Sequence, residues 1–134
     1  MLIGLVLVLP VRLPQTSEGS STEECLLLAD RPPSDVSAIP RFEQCATAVP
    51  EDLELLADLG SLYESAGRKP DAEAVYRRIL SVDNDYADVH VRLARLLLPA
   101  NRDAARHHLE RALALQPNRR AILDMMAALG AKNQ

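Results

Sequence analysis

Residues 56–76 read LADLGSLYESAGRKPDAEAVY. Leu56, Leu59, Gly60 and Tyr63 fall at i, i+3, i+4 and i+7, one stripe of a helix. Ala72, Tyr76 and Ile79 form a second stripe of the same kind. Between them, Ala66-Gly67-Arg68-Lys69-Pro70 offers a glycine suited to a left-handed C-terminal cap and a proline suited to the first helical position. Two helices are therefore expected to turn back on each other along one seam. Gly60 and Ala72 are expected to face each other as small residues that let the backbones approach, with Leu59 and Tyr76 filling the sides.

The same anchors recur along the chain. Leu59-Gly60 returns as Leu93-Ala94, and Ala72, Tyr76, Ile79 and Asn84 return as Ala105, Leu109, Ala112 and Pro117 at an interval shorter by a single position. The missing residue falls in the turn Leu98-Pro99-Ala100-Asn101, where a change of length leaves both stripes in phase. Stepping back by the longer interval gives Ala38, Phe42, Cys45 and Pro50, preceded by a helix around Glu23 to Asp30 with Cys25, Leu26 and Ala29 on its inner stripe. After the last copy, Asn118 is expected to cap a final helix with Leu123, Met126, Ala127 and Ala128 facing inward.

Leu56-x2-Leu59-Gly60-x2-Tyr63 followed by Ala72-x3-Tyr76 resembles the tetratricopeptide repeat, a pair of antiparallel helices of about 34 residues. The resemblance covers about residues 19–130 and implies an all-α, right-handed solenoid of about three repeats with a C-terminal capping helix. The expected divisions are an apolar segment and linker over 1–18, a degenerate repeat over 19–52, repeats over 53–86 and 87–119, and the cap over 120–134. The chain departs from the family pattern in lacking tryptophan and in placing His90 where a large apolar residue is usual; its first copy matches only in the second helix.

At 134 residues and 48% hydrophobic, the chain is long enough for one domain with a core, packed mainly by aliphatic residues because only 3% is aromatic. Its charge is divided. Residues 1–66 carry a net −8 and residues 67–134 a net +4, which suits solvated outer faces or head-to-tail self-association of opposite ends. Leu2 to Leu9, LIGLVLVL, resembles the core of a secretory signal, although no basic residue precedes it and no small-x-small cleavage site follows. The run is shorter than the roughly 20 apolar residues that span a bilayer, so membrane association is expected only through this segment if it is retained. An exported protein, periplasmic or membrane-associated, is expected over a cytoplasmic one.

The repeat geometry brings Cys25 and Cys45 to one interhelical seam. They are read either as a disulfide, which suits an oxidising compartment, or as two buried thiols acting as small hydrophobes. Neither a zinc site nor a cofactor is expected from two cysteines and three scattered histidines. His107 and His108 point about 100° apart on a helix and His90 lies on a core stripe, so all three are read as structural. No phosphate loop, nucleophile elbow or paired acid and base is present, which argues against an enzyme. Arginines concentrate in the last third without interleaved aromatics in an acidic chain, so nucleic acid is not the expected partner.

In tetratricopeptide arrays the first helix of each pair lines a concave groove. The resemblance therefore implies a partner-binding surface made by Glu54, Ala57, Ser61, Glu64 and Ser65, then Asp88, Val91, Arg95 and Leu98, then Asp124 and Ala128. This set leans acidic and fits a protein or peptide with basic and apolar residues. It lacks the lysine and asparagine with which some family members clamp chaperone tails, since Ala57, Ser61, Val91 and Arg95 stand there. Reversing Glu54 and Glu64 is expected to weaken a basic partner without changing thermal stability. The alternatives are a self-assembling structural module and an accessory domain of a larger envelope-assembly factor or enzyme.

Overall fold

The computed structural model of the chain describes residues 22–29 and 35–131. The Leu2 to Leu9 run lies outside them. Among the described residues seven helices follow in order: α1 (Thr22–Ala29), α2 (Ile39–Ala48), α3 (Leu53–Ser65), α4 (Lys69–Val82), α5 (Ala87–Leu97), α6 (Arg102–Leu115) and α7 (Arg120–Ala131). α1 packs on α2, α3 on α4 and α5 on α6, each pair resting on the next, and α7 closes the stack against α6. The result is an all-α solenoid of helix pairs. Within the same residues no helix is long and apolar enough to cross a membrane.

Local chemistry writes the helix ends. The Asp52 carboxylate accepts from the Leu55 N–H at 3.0 Å and starts α3, and the Asn101 side chain does the same for α6 through Ala104 N–H at 3.0 Å. At the end of α3, Gly67 takes φ +74° while its N–H bonds the Glu64 carbonyl and the Arg68 N–H bonds the Tyr63 carbonyl. That pair of bonds is a Schellman closure, which requires a residue at ease in the left-handed region. Pro70 stands second in α4 rather than first, and still loses no bond, because the N–H it lacks would have had no partner in the first turn.

Packing corrects the expected partner of Gly60. A Cβ at that position would stand 2.3 Å from Tyr76 Cε1, so the glycine makes room for the tyrosine ring rather than for Ala72. Ala72, Tyr76 and Ile79 are all fully buried. The buried side chains described form two clusters: one runs from Cys25 through α2, α3 and α4 to Val89 and Leu93, and the other joins Ala94 and Leu97 to α6 and α7. α5 contributes to both, so it couples the two halves of the array.

Two expectations about the ends are revised. In α7 the inward residues are Ile122 and Leu129, with Met125 and Met126 partly covered, whereas Leu123 is 43% exposed and Ala127 and Ala128 are exposed. The larger side chains at 122, 125, 126 and 129 make the i, i+3, i+4, i+7 stripe, and they win over the alanines because they bury more apolar area. The helix also begins one residue later than an Asn118 cap implies, since the Arg119 carbonyl accepts from Ile122 and Leu123 N–H. In the first pair, a 3-10 turn over Val36–Ala38, opened by the Asp35 side chain bonded to Ser37 N–H, takes the place of the first turn of α2. Ala38 consequently precedes the helix and is only partly covered, while Phe42 and Cys45 are buried.

Candidate interaction groove

The first helices of the second and third pairs, α3 and α5, carry most of the expected groove residues. On α3, Glu54 is exposed while Ala57 and Ser61 are partly covered; the Ser61 hydroxyl donates to the Ala57 carbonyl at 3.1 Å, a bond within its own helix. On α5, Asp88, Val91 and Arg95 come together with Arg92 and Arg119 around a cavity of about 210 Å³. Arg119 pairs with Asp88 and also donates to the Gln116 side chain at 3.0 Å. Leu98 and Ala128 line a separate apolar hollow of about 130 Å³ with Arg102, Met125 and Leu129. Asp124 joins neither; its nearest charge is Arg120 on the same helix at 3.6 Å.

Glu64 is held differently from Glu54. Its side chain is 19% exposed, and one carboxylate oxygen accepts from the Tyr76 hydroxyl at 2.6 Å and from Arg92 Nη1 at 3.0 Å. Burial and this bond raise the Tyr76 hydroxyl well above its ordinary range. A second set of the same three residue types joins α2 to the α3–α4 pair. Tyr63 donates to Glu43 at 2.7 Å, Arg68 reaches the same oxygen at 3.3 Å, and burial first, then Glu43, push Tyr63 up to about 12. Each tyrosine–glutamate–arginine set ties one helix pair to the next. A charge reversal at Glu64 would leave Arg92 facing a cation in a half-buried place, so unchanged stability is still the expectation for Glu54 but not for Glu64.

Three residues absent from the expected set shape this face. Asp58, partly covered beside Glu54, has its carboxyl raised by burial and then by the Glu54 charge, with Arg92 acting in the opposite direction. Arg92 and Arg119 bring positive charge to the α5 side, so the acidic lean expected of the whole set lies along α3, and α5 is basic. Asp58 and Arg92 occupy equivalent positions in successive repeats; stepping both through the period would have found the contrast.

The cysteine sulfurs stand at disulfide distance, 2.06 Å, with Cα atoms 5.3 Å apart, and both residues are fully buried. His90 is 3% exposed, and its two ring nitrogens stand 2.9 Å from the Asn84 carbonyl and 2.9 Å from Nδ1 of His108. The carbonyl can only accept, so His90 carries its proton on Nε2 and takes the Nδ1–H of His108 on its other nitrogen. Burial first, then His90 and His107, lower His108 to about 4. This contact joins α5 to α6 and was invisible in the one-dimensional spacing. No group of three or more metal-ligating side chains occurs among the described residues.

Residues 53–96 match the tetratricopeptide repeat family model. None of the curated proteins matches the chain. Among solved structures, a crystal structure of MamA is 17% identical, with a TM-score of 0.75 over 87% of this chain and 70% of that one. A second MamA structure is 23% identical, with a TM-score of 0.72 over 83% of this chain, which spans 63% of that protein. The first TPR of Spaghetti (RPAP3), solved bound to the HSP90 peptide SRMEEVD, is 16% identical, with a TM-score of 0.73 over 86% of this chain and 97% of that one. The type III secretion translocator chaperone SycD of Yersinia enterocolitica is 20% identical, with a TM-score of 0.74 over 87% of this chain and 98% of that one. Residues 53–96 thus match the tetratricopeptide repeat itself, and the helix pairs on either side share the fold of these structures.

Proposed function

We propose that the chain is a non-catalytic protein-interaction scaffold that receives a peptide or a segment of a partner protein across the face of α3 and α5. The observation that carries this reading is that Glu54, Asp58 and Arg95 stand on that face without an ion-pair or hydrogen-bond partner among the described residues. Their neighbours Glu64, Arg92, Asp88 and Arg119 are tied into the array. Rigid helix pairs hold these groups in place, so most of the ordering cost falls on the ligand. The peptide carried by the solved RPAP3 repeat domain supports the same mode of use. The cysteine pair at disulfide distance supports an exported setting.

A photo-crosslinking residue placed at Ser61 on this face, and separately at exposed Ala114 on α6, tests the reading in the native host. The expected result is a discrete adduct from position 61 alone. Equal adducts from both positions, or none from 61, would refute it. An adduct of twice the chain mass would favour self-assembly, which the divided charge and the exposed Leu27 and Leu123 on the terminal helices support as the second reading. Glu54→Lys is expected to reduce the adduct while leaving the melting temperature in place, whereas Glu64→Lys lowers that temperature.

A further inference from the structure

Two unpartnered carboxylates and one unpartnered guanidinium share this face, and they sit on different helices. Glu54 and Asp58 are one turn apart on α3 and close enough for the Glu54 charge to act on the Asp58 carboxyl. Both also act on the Tyr86 hydroxyl at the start of α5, which burial raises first and Glu54 next, so the acidic side reaches across to the neighbouring helix. On the other side, Arg95 lines the cavity with Arg92, Arg119, Val91 and Asp88, where three guanidinium groups meet one carboxylate. Arg92 is occupied by Glu64 and Arg119 by Asp88, which leaves Arg95 as the donor with open valences and a surplus of positive charge around it. Ala57 on α3 and Val91 on α5, both partly covered, add apolar surface beside the charged groups of each helix.

A ligand of one sign satisfies only half of this face and is repelled by the other half. We propose that the face binds a segment carrying both charges, with a Lys or Arg set on Glu54 and Asp58 and an Asp or Glu set on Arg95; the inference rests on the groove-binding reading above. Glu54 lies in the first turn of α3 and Arg95 in the last turn of α5, so the two ligand charges lie several residues apart along the segment, with an apolar residue between them. A Lys or Arg, an apolar residue and an Asp or Glu in that arrangement define the partner class, adding an acidic residue to the basic and apolar ones expected from the sequence.

The test is selection of a random peptide library, displayed on phage, against the full chain at low salt, followed by titration of a selected peptide by fluorescence anisotropy. The expected result is enrichment of peptides carrying both signs at that separation. The selected peptide should lose about tenfold in affinity to Arg95→Glu and a similar factor to Glu54→Lys, each variant keeping the wild-type melting temperature. Replacing the peptide's acid by lysine should restore binding to Arg95→Glu. Enriched peptides that are purely basic, or that bind Arg95→Glu as tightly as the wild type, would overturn the mixed-charge inference and leave groove binding standing. Failure to enrich any peptide, or binding indifferent to both substitutions, would overturn groove binding itself.

Discussion

Gly60→Ala tests the tightest contact in the array. A Cβ there would lie 2.3 Å from Cε1, 2.7 Å from Cζ and 3.0 Å from Cδ1 of Tyr76, whereas carbon atoms pack at about 3.5–4.0 Å. The ring must retreat by more than about 1 Å, yet it is fully buried and its hydroxyl is held by Glu64 at 2.6 Å. Overpacking of this kind costs about 1–3 kcal/mol, and straining a hydrogen bond to a charged group adds about 1–2 kcal/mol. Alanine returns about 1 kcal/mol through its better helix propensity. The expected net loss is about 1–4 kcal/mol, read as a lower urea midpoint at unchanged slope. Two other glycines calibrate the measurement. Gly130, inside α7 with nothing within 4 Å of a Cβ, should gain up to about 1 kcal/mol as alanine. Gly67, at φ +74°, should lose about 1–2 kcal/mol although its surroundings are open. A Gly60→Ala protein as stable as the wild type would refute the close approach of α3 to Tyr76.

Two further outcomes follow from the cysteine and histidine contacts. A bond between Cys25 and Cys45 closes a span of 20 residues, worth about 3 kcal/mol in the chain-entropy treatment; reductant should lower the wild-type urea midpoint and leave that of Cys45→Ala unmoved, and equal midpoints with and without reductant in the wild type would exclude the bond. His108 is lowered to about 4 from an ordinary 6.5, so between these values the unfolded chain binds more protons than the folded one. Stability therefore falls as pH drops from about 6.5 towards 4 and is flat in this respect above that window, by about 1–2 kcal/mol after discounting for partial exposure. His108→Asn, whose amide N–H can still donate to His90, should remove that slope; a slope identical in the variant would assign it elsewhere.

Residues 56–76 determined the central helix pair by themselves. Spacing at 3.6 residues per turn, a glycine able to take positive φ and a proline in a first turn are local properties that the chain carries wherever it goes. Recurrence of the anchors at a near-constant interval extended that pair to an array, because each pair leaves an apolar side that only a like neighbour covers. The phase of α7 was less legible: spacing alone points Leu123 and the alanines inward, whereas α5 and α6 offer a surface that the bulkier Ile122 and Leu129 stripe fills. What tertiary structure alone decided is which charges are occupied. Glu54 and Glu64 look alike in sequence, yet Tyr76 and Arg92, 12 and 28 residues further on, converge on Glu64 and leave Glu54 without a partner. Pairing between side chains depends on distances across helices, which no single helix period records, and those distances divide the face into its acidic and basic halves.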